Sequence, residues 1–239
     1  MEDCPTDANI SAAPLDSLQV TGRVATHVQD LADPPCVLHR SAGRAVQAMR
    51  AEARQAGIDL CVVSDFRDFN RQLAIWQAKF NGQRPLLDPC GAVMDRSGLH
   101  ESALIEAILI WSALPGASRH HWGSDFDVVD AAALGPGERP QLVPDEYAPG
   151  GRFERLHGWL DSNMGRFGFF RPYATWQGGV RPEPWHLSFA AVAVPALRVL
   201  SLEVLREAIG EADMSGRETV LARLPELYER YVLAVDGPP

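Results

Sequence analysis

The stretch Ser118-Arg119-His120-His121-Trp122-Gly123-Ser124-Asp125-Phe126-Asp127 runs into a strand pattern, and Glu183-Pro184-Trp185-His186 opens another far downstream. The alternation in Asp125-Phe126-Asp127-Val128-Val129 has a period of two, which sends both aspartates to one face. His120 precedes that strand across a turn at Gly123. If the polar groups of the two stretches act together, the strand carrying His186 must lie beside the strand carrying Asp127. That requirement limits the fold more than any other feature of the chain.

A catalytic divalent ion of the zinc type takes three donors from His, Asp, Glu or Cys and leaves a fourth position for water. His120, Asp127 and His186 offer such a set. His121 stands next to His120, and spacing alone does not separate the two histidines as ligands. Asp125 is open between a place beside the metal, an outer contact that tunes a ligand, and a salt bridge. Glu183 precedes His186 by three residues, with Pro184 stiffening the backbone between them. A zinc ion lowers the pKa of its water to about 7, and a neighbouring carboxylate can take the remaining proton as general base. Glu183 is read in that role.

The chain has 239 residues, enough for one large or two small domains, and 46% of them are hydrophobic, which allows a sizeable core. Its net charge of -9 argues against nucleic acid as the main partner, since phosphate neutralisation needs a basic face. No run approaches the roughly 18 apolar residues of a membrane span. The start, Met1-Glu2-Asp3-Cys4-Pro5, lacks the basic and apolar regions of a signal peptide. Taken as it stands the chain is expected in the cytoplasm, and in the periplasm or cell envelope if a leader has been removed. Cys4, Cys36, Cys61 and Cys90 contain no CxxC pair, which argues against a cysteine-rich zinc module while disulfides stay open.

Residues 1–39, punctuated by Pro5, Pro14, Pro34 and Pro35, read as an irregular N-terminal arm. Helical spacing appears over 42–56, 71–80, 101–114, 153–164, 193–209 and 218–232, and short strands over 58–63, 125–129, 167–170 and 185–189. The core is expected over 40–192, with the helices of 193–239 packed on the same domain. Residues 132–151 read as a long bare loop, with a mobile lid as the alternative.

Ser118-x-His120-x-x-Gly123-x-Asp125-x-Asp127 together with Glu183-x-Trp185-His186 resembles the signature of the zinc D-alanyl-D-alanine carboxypeptidases of the vancomycin-resistance type. Their superfamily also includes lysostaphin and the hedgehog proteins. Ser64-Asp65-Phe66-Arg67, followed by Gln72, is similar to that family's arginine-bearing segment after the first strand. The likeness spans about residues 40–190. It implies an α+β fold, a small and mainly antiparallel sheet flanked by helices. It also implies one zinc ion on His120, Asp127 and His186, with Glu183 as base. Arg67, Gln72 and Ser118 would line the substrate pocket, Arg67 meeting a carboxylate or a developing oxyanion. Trp185 would buttress His186, while His121 and Asp125 would stand outside the ligand set. Asp125 occupies a position where the family more often has a small residue such as alanine.

The implied activity is removal of a C-terminal D-alanine from a peptidoglycan stem peptide or muropeptide, with either D,D or L,D specificity. An endopeptidase acting within a stem or cross-link is the alternative within enzymes. A non-catalytic zinc-bearing binding module is the alternative outside them, although such a module has no use for Glu183.

Overall fold

The computed structural model describes residues 14–239. A short helix α1 (Ser17–Val20) is capped by Asp16, and an antiparallel hairpin follows, β1 (Val28–Ala32) and β2 (Pro35–His39). The arm expected over 1–39 is therefore ordered from residue 17, and its part over 1–13 lies outside the described residues. Pro34 lies within the two-residue turn and Pro35 opens β2, and the hairpin survives both because a proline at the start of an edge strand forfeits no ladder bond.

Helix α2 (Arg40–Gln55) buries Ala42, Val46, Met49 and Ala53 along one face, and Gly57 follows it at a φ of 73°. Strand β3 (Leu60–Ser64) leads by way of the Arg67 segment into α3 (Phe69–Phe80), capped by Asp68. Helix α4 (Glu101–Leu109) stops five residues short of the expected end. The Trp111 indole N–H donates to the Asp88 carbonyl at 2.9 Å, and the Arg181 N–H donates to the Ile110 carbonyl at 3.0 Å. Tertiary partners thus draw 110–114 out of the helix.

Strand β4 (Asp125–Asp130), helix α5 (Glu154–Asn163), strands β5 (Phe169–Phe170) and β6 (His186–Phe189) complete the sheet region. The four-stranded sheet has the order β3-β4-β6-β5 and is antiparallel throughout. β4 and β6 pair directly, with Asp125 opposite Ser188 and Asp127 opposite His186. This register puts Asp125, Asp127, His186 and Ser188 on one polar face. Phe126, Val128 and Leu187 enter a core with α2, α5 and the hairpin on the other.

The remaining chain is α6 (Ala190–Val199), α7 (Leu202–Gly210), α8 (Arg217–Ala222) and α9 (Leu224–Tyr228). The single helix expected over 193–209 is broken because the Ser201 hydroxyl caps α7, accepting from the Val204 N–H. The one expected over 218–232 breaks before Pro225, whose ring suits a first turn and not an interior. A second core joins Trp76, Ile105 and Ile108 to Leu205, Ile209, Val220, Leu224 and Leu227. Residues 132–151 are not a bare loop. The Glu146 carboxylate accepts from the Gln141 and Leu142 N–H groups, and the buried Tyr147 hydroxyl donates to the Val128 carbonyl at 2.7 Å. The fold is α+β, and no helix among the described residues is long and apolar enough to cross a membrane.

Candidate metal centre and cleft

Arg119–Trp122 form one tight 3-10 turn, closed by Gly123 at a φ of 64°. A Cβ on Gly123 would lie 2.4 Å from Val28 Cγ1 and 2.8 Å from the His39 nitrogen. Glycine is therefore what allows the hairpin to rest on this turn, where the His39 N–H donates to the Gly123 carbonyl at 2.8 Å. The Arg67 segment is tied to the same turn, its N–H donating to the His120 carbonyl at 3.2 Å.

His120, Asp127 and His186 each place a donor atom within 4.8 Å of the others. Outer partners set which nitrogen faces inward. His120 Nδ1 lies 2.9 Å from the Asp65 carbonyl, which accepts its proton and turns Nε2 toward Asp127 Oδ2 at 3.7 Å. His186 Nε2 lies 3.1 Å from Asp125 Oδ1, leaving Nδ1 3.2 Å from Asp127 Oδ1 and 3.4 Å from Glu183 Oε2. Among the described residues no well-formed hydrogen bond reaches the buried Asp127 Oδ1. Two inward nitrogens converging with a buried carboxylate fit a divalent cation with nitrogen and oxygen donors.

His121 is separated from this group by its own bonds. Its Nδ1 donates to the Arg67 carbonyl at 2.5 Å, and its Nε2 accepts the Gly116 N–H at 3.2 Å. Both ring nitrogens are used, so of the two adjacent histidines His120 has the free one. Burial pushes His121 down to about 4 and, aided by Arg67, His120 down to about 3. Burial also opposes charge on His186, but Asp125 and Asp127 outweigh it and raise that imidazole to about 10. Metal binding must displace this proton.

Asp125 has no solvent exposure and yet is charged, held well below the usual carboxylate range against its burial by Arg119, His186 and Ser124. Arg119 Nε donates to Asp125 Oδ1 at 2.8 Å and Nη2 to Ser188 Oγ at 2.7 Å, with the guanidinium 4.6 Å over the Trp122 ring. Sequence reasoning named Asp125 but passed over Arg119, although it sits inside the motif.

A cleft of about 210 Å³ opens on the polar face, lined among others by Arg67, Lys79, Ser118, Tyr173 and Glu183. Gln72, expected as a lining residue, is fully buried behind it. Its side-chain oxygen accepts from Arg67 Nη1 at 2.7 Å and its amide donates to the Ala113 carbonyl at 2.8 Å, so it orients the arginine. Ser64 Oγ accepts from Arg67 Nη2 at 3.2 Å. The ring packed on His186 is Tyr173, at 5.1 Å, and not Trp185, which stacks on Trp111 at 6.2 Å and leans on Tyr147 at 5.6 Å. Trp185 lies in the turn before β6, where the His186 N–H donates to the Glu183 carbonyl at 3.1 Å, so its ring leaves in another direction from the imidazole. No sequence pattern marked Tyr173 or Lys79. Burial raises Glu183 to about 7, with Asp127 adding to the shift and His186, Lys79 and Arg67 opposing it.

A His-Asp-His donor set beside a carboxylate poised near neutrality, at the floor of a cleft, defines a metallopeptidase-type centre. Residues 36–192 match the family model for VanY, D-alanyl-D-alanine carboxypeptidase, and the chain belongs to that family of metallopeptidases. An uncharacterized protein of Haemophilus influenzae is 34% identical over 122 residues, spanning 50% of this chain and 93% of that one. Another from the same organism is 38% identical over 98 residues, 40% of this chain and 67% of that one. Among solved structures, VanYB in complex with D-alanine-D-alanine is 22% identical with a TM-score of 0.49, covering 72% of this chain and 81% of its own. A D,D-pentapeptidase VanY variant from a VanB-type resistance cassette, in complex with Zn(II), has the same identity and score and covers 76% and 92%.

Proposed function

We propose that this chain is a zinc-dependent carboxypeptidase that removes the C-terminal D-alanine of a peptidoglycan stem peptide or muropeptide. His120, Asp127 and His186 would hold one zinc ion, which supplies Lewis acidity and an activated water when bound. Glu183 takes a proton in the attack and returns it to the leaving amine, a task suited to a carboxylate raised to about 7. Arg67, its two terminal nitrogens held by Gln72 and Ser64, presents a fixed cation to the charge that develops on the carbonyl oxygen. Asp65 and Asp125 keep the two histidines turned inward.

The observation that carries this reading is the placement of Glu183 Oε2, 3.4 Å from the inward nitrogen of His186. A site that only stored or displayed a metal would have no use for that base. The test is mass analysis of tetrapeptide and pentapeptide stems after incubation with the zinc-loaded protein. Loss of one alanine from either is expected. Glu183→Ala should keep its zinc while turnover falls about 10²- to 10⁴-fold. No alanine release from either stem overturns the proposal.

A further inference from the structure

We infer that Lys79, in the last turn of α3, receives the substrate's terminal carboxylate, which leaves Arg67 for the oxyanion. The inference deepens the carboxypeptidase reading and rests on it.

Lys79 lines the cleft together with Arg67 and Glu183. Among the described residues its ammonium has no hydrogen-bonded or ion-paired partner; its surroundings act on it only by burial and by the longer-range charges of Glu183, Arg84 and Arg67. A long, flexible cation drawn over a cleft without a counter-ion is a costly arrangement unless a ligand supplies one.

The two cleft cations differ in what they face. Asp127 is the carboxylate that acts most strongly on Arg67, with Glu183 behind it, whereas for Lys79 that carboxylate is Glu183. Arg67 is also tied to the metal-ligand turn, its N–H donating to the His120 carbonyl at 3.2 Å and its guanidinium held by Gln72 and Ser64, whereas Lys79 reaches the same cleft from the far end of α3, free of such ties among the described residues. In a carboxypeptidase the carboxylate belongs to the leaving residue, and its carbon is roughly 2.5 Å from the scissile nitrogen by standard bond lengths and angles. Glu183 returns its proton to that same nitrogen, so the carboxylate must lie on the Glu183 side of the cleft. Lys79 is the cation there.

Charge counting points the same way. Arg119 is neutralised by Asp125, and once a metal has displaced the His186 proton the other cleft charges, Arg67 and Lys79 against Asp127 and Glu183, cancel. A divalent ion then leaves two positive charges for an anionic substrate.

The experiment compares the zinc-loaded wild type with Lys79→Met and Lys79→Arg on a stem peptide bearing a free C-terminal carboxylate and on its C-terminal amide. Losing a charge-assisted contact is expected to lower kcat/KM for the acid about 10- to 100-fold, mostly through KM. The preference for acid over amide should collapse in Lys79→Met and largely persist in Lys79→Arg. If Lys79 served only to tune Glu183, acid and amide would lose the same factor, and that result overturns the inference. A wild type that releases no alanine at all overturns the carboxypeptidase reading itself.

Discussion

Replacing Asp125 with alanine would strand a buried guanidinium. Asp125 has no exposure, and its carboxylate takes the Arg119 Nε proton at 2.8 Å, the Ser124 hydroxyl at 2.5 Å and His186 Nε2 at 3.1 Å. Removing one partner of a buried ion pair costs about 3–5 kcal/mol, because the other charge is left without compensation. Ser188 still accepts from Arg119 Nη2, and the Trp122 ring still faces the guanidinium, which argues for the lower half of that range. For a chain of this length each kcal/mol lowers Tm by about 2–4 °C, so the metal-free protein should melt roughly 6–15 °C lower.

His186 also loses the acceptor that fixes its ring, and zinc affinity in a chelator competition should fall about 10- to 100-fold. Arg119→Met in the Asp125→Ala background removes the stranded charge, and the double variant should melt above Asp125→Ala alone. An Asp125→Ala protein that melts within about 2 °C of wild type, or a strictly additive double variant, would refute the claim that the pair is a coupled buried unit.

Gly123→Ala should destabilise the chain by about 2–4 kcal/mol in urea unfolding, since it combines a left-handed backbone with a Cβ 2.4 Å from Val28 Cγ1. A pH profile offers a third check. Burial lowers Lys79 to about 8, against the attraction of Glu183 and with Arg84 and Arg67 adding to the shift. The ammonium is thus present below about pH 8 and lost above it, and kcat/KM for a free-acid stem should fall through that range. The same profile for the amide should lack that step.

Much of the metal-ligand group was legible because strand periodicity is a local property. The alternation through Asp125-Phe126-Asp127 puts two carboxylates on one face whatever surrounds them, and the Glu183-Pro184-Trp185-His186 box keeps Glu183 and His186 close along the chain. Arg67, three residues past β3, was singled out by the resemblance of its segment and not by periodicity. The hairpin at 28–39 was not, because its prolines suggest irregularity until a partner strand and the Gly123 turn are seen to receive it. Helix ends were misjudged for a related reason: the Ser201 cap and the Trp111 bond to Asp88 compete with helical periodicity only once the tertiary partners are in place.

The sequence by itself determined the candidate group of His120, Asp127, Glu183 and His186, since residue type and strand period do not depend on distant contacts. Only the tertiary structure distinguishes His120 from His121, engaging both ring nitrogens of the latter in hydrogen bonds and placing the former in the candidate group. It also moved Gln72 from the cleft to a place behind Arg67, and brought Arg119, Tyr173 and Lys79 to the site. Those contacts join segments far apart along the chain, and their geometry exists only after the strands pair and the two cores close.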